Sequence, residues 1–378
     1  MLYLDHAATT RVRPETRAAM APLLDEVFGN PSGVHGVSRE AKNALETARE
    51  EAAELIGAAH PLEVVFTGGG TEADNLAIVG SALAGDGRGG VVTTAVEHEA
   101  VLESVAFLER LGCRVSRVGV DRSGKLDVEE LVSNVDEHTA VVSVMAANNE
   151  TGLFFPLDEI SASARAIAPG VLFHTDAVQA VITEEITVET TQADMISMAA
   201  HKFGGPKGVG LLYVPREVEL EPVLHGGGQE LGRRSGTHNV AAIVGMVAAL
   251  RATVAGREAT RSRIERIRDE FESELLAAVP DLVVTGSGLS RLVQHSHIRI
   301  PGVDGETLLI RLDQEGVAAA AGSACNSGAV EVSHVLAAMG MTEQEAAECV
   351  RFSFGWSSEA DAGTTAARLV SKLVGELR

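Results

Sequence analysis

Lysine is scarce in this sequence: Lys42, Lys125, Lys202, Lys207 and Lys372 are all there are, and arginine supplies the rest of the basic charge. Lys42, Lys125 and Lys372 sit in polar helical or turn contexts and read as solvated surface. Lys202 follows the apolar run Met195–Ala200, which would desolvate its amine and lower its pKa. A neutral amine at a strand end can form a Schiff base with an aldehyde cofactor. From spelling alone, a capping lysine fits Lys202 equally well. Lys207 lies between Pro206 and Gly208, at the start of the next strand. Asp176 ends the apolar run Val171–Phe173 and could face a pyridine nitrogen, or simply cap the following helix. Gly68-Gly69-Gly70-Thr71 precedes a helical stretch and offers backbone N–H groups to a phosphate. It is neither a Walker loop nor a GxGxxG fingerprint. An aldehyde, a pyridine nitrogen and a phosphate together describe pyridoxal 5′-phosphate (PLP).

Cys325 sits among small residues, Ala321-Gly322-Ser323-Ala324-Cys325-Asn326-Ser327-Gly328, between a strand and a helix. A thiol there can act as a nucleophile, although taken alone it reads more simply as incidental. Cys113 and Cys349 have strand-like apolar neighbours and read as inert core. His295 and His297 alternate along a strand with no carboxylate cluster beside them, so they read as ordinary polar strand residues and no metal site is expected.

Short β-rich runs alternate with longer helical patterns and must position these groups. The strands expected are Glu63–Thr67, Gly90–Ala95, Arg114–Val118, Thr139–Ala146, Val171–Asp176, Asp194–Met198 and Val209–Val214. Amphipathic stretches such as Ala100–Leu111 and Leu157–Ala168 lie between them, which implies a mainly parallel α/β sheet covered on both faces. Val240–Leu250 reads as a buried helix, and Arg257–Ala278 as a long helix linking two domains. Further strands near Leu292–Ile300, Val317–Ala321 and Cys349–Phe354 give the second region an α+β character. Open α/β sheets hold ligands beyond the carboxyl ends of their strands. Those ends read Thr67 to Glu72, Val96-Glu97-His98, Asn148-Asn149-Glu150, Thr175 to Gln179 and Ala200-His201-Lys202, five polar or glycine-rich tips on one rim.

The net charge of −22 disfavours nucleic acid and anionic membrane as partners. Three cysteines without CxxC spacing argue against a disulfide framework and fit a reducing cytoplasm. The sequence shows no signal-peptide pattern at its start, and its longest apolar run is about half the ~20 residues of a membrane span.

Taken together, the motifs resemble cysteine desulfurases, a class V aminotransferase group of fold-type-I PLP enzymes. The resemblance rests on Tyr3 to Thr10, Gly29-Asn30-Pro31-Ser32, Thr71 to Asn75, Glu97-His98, Asn148 to Gly152, His201-Lys202 and Gly205 to Gly208. Gly226 to Glu230, Arg234 to Thr237, Gly322 to Cys325, Ser333 to Leu336 and Arg351-Phe352-Ser353 extend it along the whole chain in order. It implies a large PLP-binding domain over residues 13–255 and a small domain from residues 1–12 plus 256–378 that carries the cysteine loop. It also implies a homodimer with the active site at the subunit interface. Lys202 would carry the Schiff base and Asp176 would face the pyridine nitrogen. His98 would stack on the ring, with Asn149 and Gln179 near its phenolic oxygen. Gly70, Thr71 and His201 would hold the phosphate, joined by Thr237 of the other subunit, and Arg351 would pair with the substrate carboxylate.

The implied reaction converts L-cysteine to L-alanine and leaves a persulfide on Cys325. That sulfur would pass to an acceptor protein such as an iron–sulfur scaffold, for cluster or thio-cofactor synthesis. A selenocysteine lyase or an aminotransferase on the same fold is the nearest alternative, and a non-catalytic sulfur-relay subunit a more distant one. Three departures from the family pattern stand out. Ala199 occupies a position usually filled by a phosphate-binding serine or threonine, and Val332 replaces a proline before Ser333-His334. No long tail follows Arg378 of the kind some members use to dock a scaffold.

Overall fold

The computed structural model describes residues 1–84, 89–321 and 332–378. In chain order its strands are β1 (Leu2–Tyr3), β2 (Val64–Thr67), β3 (Gly90–Thr94), β4 (Val115–Val118), β5 (Thr139–Ser143) and β6 (Leu172–Asp176). They continue with β7 (Met195–Ala199), β8 (Gly210–Tyr213), β9 (Val283–Val284), β10 (His295–Arg299), β11 (Val317–Ala318) and β12 (Cys349–Ser353). Seven of them form one sheet in the order β2-β8-β7-β6-β5-β3-β4. Its ladders are parallel from β4 through β7, and β8 runs antiparallel to both of its neighbours. Every residue of β2, β3, β5, β7 and β8 is buried, as expected where helices cover both faces. The edge strand β4 is partly open.

Each expected strand is present, with the differences at the ends. The run expected as far as Ala146 leaves the ladder after Ser143, although Val144 and Ala146 still donate to the carbonyls of His174 and Asp176. Val240–Leu250 and Arg257–Ala278 are not separate helices but parts of one helix, Val240–Ala278, of 39 residues. The sequence between them contains no proline, and Gly256 alone does not break it. Its first half is buried almost all round, whereas its second half buries the one-sided set Ile264, Ile267, Phe271 and Leu275. This helix is long and apolar enough in one stretch to cross a membrane, and 61% of that stretch is buried inside the protein.

The apolar interior falls into clusters. The largest surrounds the central sheet and includes Val240, Ile243, Met246 and Leu250. Another contains Ile264, Ile267, Phe271 and Leu275 with Ile298, Phe352, Phe354 and Val370. One helix thus serves both, and the boundary near residue 255 falls inside it; we keep that division as a proposal. The second cluster is built on β12-β10-β9 and closed by the helix Ala362–Leu377. β1 pairs in parallel with β11, which ties the chain's start to its C-terminal part.

Gly363 lets the last helix reach the long one: a Cβ there would stand 2.1 Å from the Ile267 carbonyl oxygen. A backbone atom cannot step aside as a side chain can. Gly363→Ala should therefore destabilise the protein by roughly 1–3 kcal/mol, read as a fall in melting temperature. An unchanged melting temperature would mean that the two helices do not pack this closely.

Candidate active site

Five of the strand ends named above meet around one cavity of about 310 Å³. Gly70 and Thr71 reach it from the turn after β2, His98 from beyond β3, and Asn149 from beyond β5. Asp176 ends β6, and His201 and Lys202 follow β7. Gln179 and Arg351 complete the set of expected residues on its wall. A larger hollow of about 820 Å³ lies away from this rim, lined by Asp127, Glu129, Glu130 and Glu159 beside Leu153 and Phe154. Its one amine, Lys125, is exposed, and the helix start on its wall, Val128–Ser133, is already capped by Asp127 accepting from Glu130 N, so the chemistry is assigned to the smaller cavity.

Lys202 Nζ donates to the carbonyls of Ala7 (2.5 Å) and Ala8 (3.1 Å), so the N-terminal segment crosses the cavity beside the amine. Lys207 is exposed and is not on the cavity wall, which removes it as the competing amine. Asp176 is buried and accepts the Val178 N–H at 2.8 Å. Burial pushes its pKa up, opposed by the charges of His98 and Lys202 and by that hydrogen bond. Gln179 donates to the Ala7 carbonyl at 2.9 Å, and its own side-chain oxygen is buried without a partner. His98 caps the helix Glu99–Arg110 by accepting the Ala100 N–H on Nδ1 at 3.1 Å. It is exposed toward the cavity mouth.

The helix Gly70–Ala84 starts at the glycine turn, with Gly69 at φ +154°. A Cβ on Gly70 would lie 3.0 Å from Val178 Cγ2 and 3.3 Å from Ala199 Cβ, so Ala199 faces the helix start. His201 is held by Thr9 Oγ1 at 3.1 Å, and burial followed by the Lys202 charge lowers its pKa to about 4. Amine, buried acid, exposed imidazole and an open helix start match the aldehyde, ring nitrogen, ring face and phosphate of PLP. The residues therefore fit this cofactor.

Other residues appear in the motifs but were given no role from the sequence. Asp74 lines the cavity and is buried, with Oδ1 lacking a hydrogen bond and standing 3.6 Å from His174 Nε2. Burial, then the nearby Asp176 charge, raises its pKa well above the carboxylate range. Helical periodicity places Asp74 inward, which is the one signal that could have found it. Glu97 is buried and accepts from Thr94 Oγ1 (2.8 Å) and Met145 N (3.1 Å); burial moves its pKa from 4.5 to about 8. His334 reaches the Glu97 carbonyl at 2.8 Å, and Ser333 bonds the buried carboxyl of Glu150 at 2.6 Å. Asn148 folds the turn beneath Asn149 by accepting from the N–H groups of Glu150 (3.0 Å) and Thr151 (2.9 Å).

His295 and His297 are buried neutral strand residues. His295 Nε2 donates to the Asn149 carbonyl, and His297 Nδ1 pairs with Thr285 Oγ1 at 2.7 Å. Among the described residues no cluster of histidine, cysteine and acid is placed to hold a metal. Cys349 is buried, its pKa pushed up to about 12 by burial, while Cys113 is half-buried. Cys325, and with it the expectation that Val332 loosens its loop, lies outside the described residues. Thr237 is exposed and is not on the cavity wall of its own chain. It follows a loop in which Glu230 and Leu231 both take left-handed backbone angles. Glu230 anchors that loop by accepting from Arg49 twice (2.7 Å), from Phe66 N (3.2 Å) and from His238 (2.6 Å).

The sequence profile of the family described as aminotransferase class-V matches residues 2–362. A cysteine desulfurase named IscS from Dictyoglomus turgidum is 42% identical over 355 residues, covering 94% of this chain and 89% of that protein. One named NifS from Azotobacter vinelandii is 41% identical over 377 residues, covering 100% of this chain and 93% of that protein. Among solved structures, a NifS-like protein superposes with a TM-score of 0.92 at 33% identity, covering 99% of both chains.

Two measurements check this geometry. Ala199→Ser adds a hydroxyl facing the helix start, and a hydrogen bond to a charged group contributes roughly 1.5–3 kcal/mol, part of which a water can already supply. PLP should dissociate about tenfold more slowly or somewhat less, with turnover at saturating PLP little changed. Unchanged or faster loss would mean that position 199 does not face the phosphate. The second concerns Glu97. From pH 4.5 to about 8 the folded chain keeps a proton that the unfolded chain has released. This group's contribution to stability therefore falls as pH rises through that window. Glu97→Gln stays neutral, so its melting temperature relative to the parent should climb between about pH 5 and about pH 8. A flat difference would show Glu97 ionised throughout.

Proposed function

Because the chain belongs to the class-V aminotransferases, and within them to the cysteine desulfurases, we propose that its cavity converts L-cysteine to L-alanine and delivers the sulfur to Cys325. The observation that carries this reading is the convergence of Lys202, Asp176, His98 and Arg351 on one cavity at the strand ends. Lys202 would hold PLP, with Asp176 beneath the ring nitrogen, His98 on the ring face, and Asn149 and Gln179 at the phenolic edge. Gly70, Thr71 and His201 would hold the phosphate. When bound, the cofactor draws electrons away from the substrate Cα and so weakens its C–H bond.

The remaining work falls to the chain. Arg351 takes the substrate carboxylate and sets the orientation of Cα. The Lys202 amine accepts the proton from Cα and returns a proton to the product carbon. The Cys325 thiolate attacks the substrate sulfur; the bond from sulfur to Cβ breaks, and Cβ gains a proton. One thiol and one cysteine thus become one persulfide and one alanine, with atoms and charge in balance. Cys325 enters on sequence grounds, as a thiol in a run of small residues followed by Ser333-His334, which are fixed to Glu150 on the cavity wall and to the Glu97 carbonyl behind it.

The protein acts as a homodimer in this reading. Thr237 supports it, being exposed and off its own chain's cavity wall, with a firmly anchored loop behind it. The persulfide passes to an acceptor protein for iron–sulfur cluster or thio-cofactor synthesis. Free thiols at Cys113 and Cys349 suit a cytoplasmic setting.

The test uses the PLP-loaded protein and cysteine. Alanine should form, and in the absence of an added thiol an equivalent of sulfane sulfur should appear on Cys325. Cys325→Ser should keep its bound cofactor yet release no alanine, because a hydroxyl is a far weaker nucleophile and cannot carry a persulfide. Alanine release by that variant at the parent rate would remove Cys325 from the reaction and favour a lyase that needs no cysteine.

A further inference from the structure

The N-terminal segment that reaches Lys202 also touches the other charged end of the cavity. Asp5 Oδ1 accepts a hydrogen bond from Arg351 Nη2 at 2.8 Å, and the Arg351 side chain is only 3% exposed. Asp5 is fixed there by contacts of its own. Its backbone bridges to Ser353, its carbonyl accepts the Tyr3 hydroxyl at 2.9 Å, and the next strand position is set by Ser353 N donating to Leu4 O at 2.7 Å. On the other side, Arg351 Nη1 donates to the Asn149 carbonyl at 2.9 Å, while Nε is buried without a partner.

Other titratable groups also face Arg351. His295 and His297 lie on β10, with His297 paired directly to Arg351 across the ladder. Burial and the Arg351 charge lower them to about 3 and about 4, so both are neutral. Glu150 is buried and raised by that burial, opposed by its Ser333 bond and by the charges of His334 and Arg351, with no direct hydrogen bond to Arg351 among the described residues. Among the described residues, Asp5 is the carboxylate paired with Arg351.

Resting on the reading of Arg351 as the substrate-carboxylate partner, we propose that Asp5 is a positioning residue that aims the Arg351 guanidinium and limits its hold on substrate and product carboxylates. A guanidinium carries five N–H donors in one rigid plane. Asp5 and the Asn149 carbonyl occupy one donor on each terminal nitrogen and so fix that plane, which leaves Nε and the remaining donors for an incoming carboxylate. That carboxylate meets a cation whose charge is already shared with an anion, and two like charges beside one cation oppose each other. Cysteine and alanine carry the same carboxylate. Weakening both keeps the product from holding the site, and the cysteine thiol must supply the preference for substrate.

Charge and aim separate in two variants. Asp5→Asn keeps an oxygen that can accept from Arg351 and removes the charge. Asp5→Ala removes both. Equilibrium binding of L-alanine to the PLP-loaded protein, read from the cofactor's visible absorbance, should tighten about tenfold in Asp5→Asn, equivalent to ~1.4 kcal/mol. Asp5→Ala should bind alanine more weakly than Asp5→Asn, because the guanidinium is no longer aimed. L-Alaninamide lacks the carboxylate, and the tightening should be absent for it. If Asp5 serves only to tether the N-terminal segment, both variants will bind alanine no better than the parent and melt earlier, and the proposal falls. Arg351→Lys locates any failure. If it leaves alanine binding unchanged, the assignment of Arg351 fails and takes this proposal with it. If it weakens binding while Asp5→Asn does not tighten it, the Asp5 proposal alone is wrong.

Discussion

The parallel register of the central sheet is the constraint on which everything else in this protein depends. β3, β5, β6 and β7 run the same way, with Asp176 opposite Ser197 and His174 opposite Met195 across the β6–β7 ladder. That register delivers His98, Asn149, Asp176 and Lys202 to one edge within a few residues of each strand's end. A slip of one residue in any ladder would turn a site residue to the opposite face of the sheet. The nearly continuous burial of these strands makes such a slip costly, because it would gain no compensating polar face. The site is therefore a by-product of packing that would have to be specific in any case.

Concentrating charge at one buried edge creates an electrostatic problem. Asp74, Glu97, Glu150 and Asp176 all lie at or near the cavity, and burial raises the pKa of each. Asp176 is opposed by the nearby charges of His98 and Lys202, and Glu150 by those of His334 and Arg351. Glu97 instead meets a hydroxyl and a backbone donor, partners that serve a neutral or a charged carboxyl alike. Raising the pKa of the neighbours reduces the negative charge that competes with Asp176 where a pyridinium would sit. His174, lowered to about 3 by burial, adds no positive charge beneath it.

Much of this was legible in the sequence. Alternating runs gave the sheet and its parallel character, and the polar tips of the runs marked the rim. Lys202 could be preferred to Lys207 because one ends an apolar run and the other begins one. Other features could not be read this way. The 39-residue helix appeared as two because hydrophobic periodicity changes character where it passes from one core to the other, while nothing there ends a helix. Asp74 and the Asp5–Arg351 pair escaped for a different reason. A buried acid is identified by what surrounds it in space, and Asp5 lies 346 positions from its partner. The loop around Cys325 was recognised by composition and motif, and its place relative to the cavity lies outside the described residues.

The shared helix also has a mechanical consequence. At 1.5 Å per residue, its 39 residues make a rod of about 58 Å that belongs to the interior of two apolar clusters at once. Neither cluster can come apart without stripping the other of a wall, so loosening in one is felt as lost cohesion in the other. A change of angle between the clusters must be taken up as curvature along the rod, since its middle has no hinge of proline or broken backbone. The two clusters are in this sense sprung against each other through the stiffness of one helix.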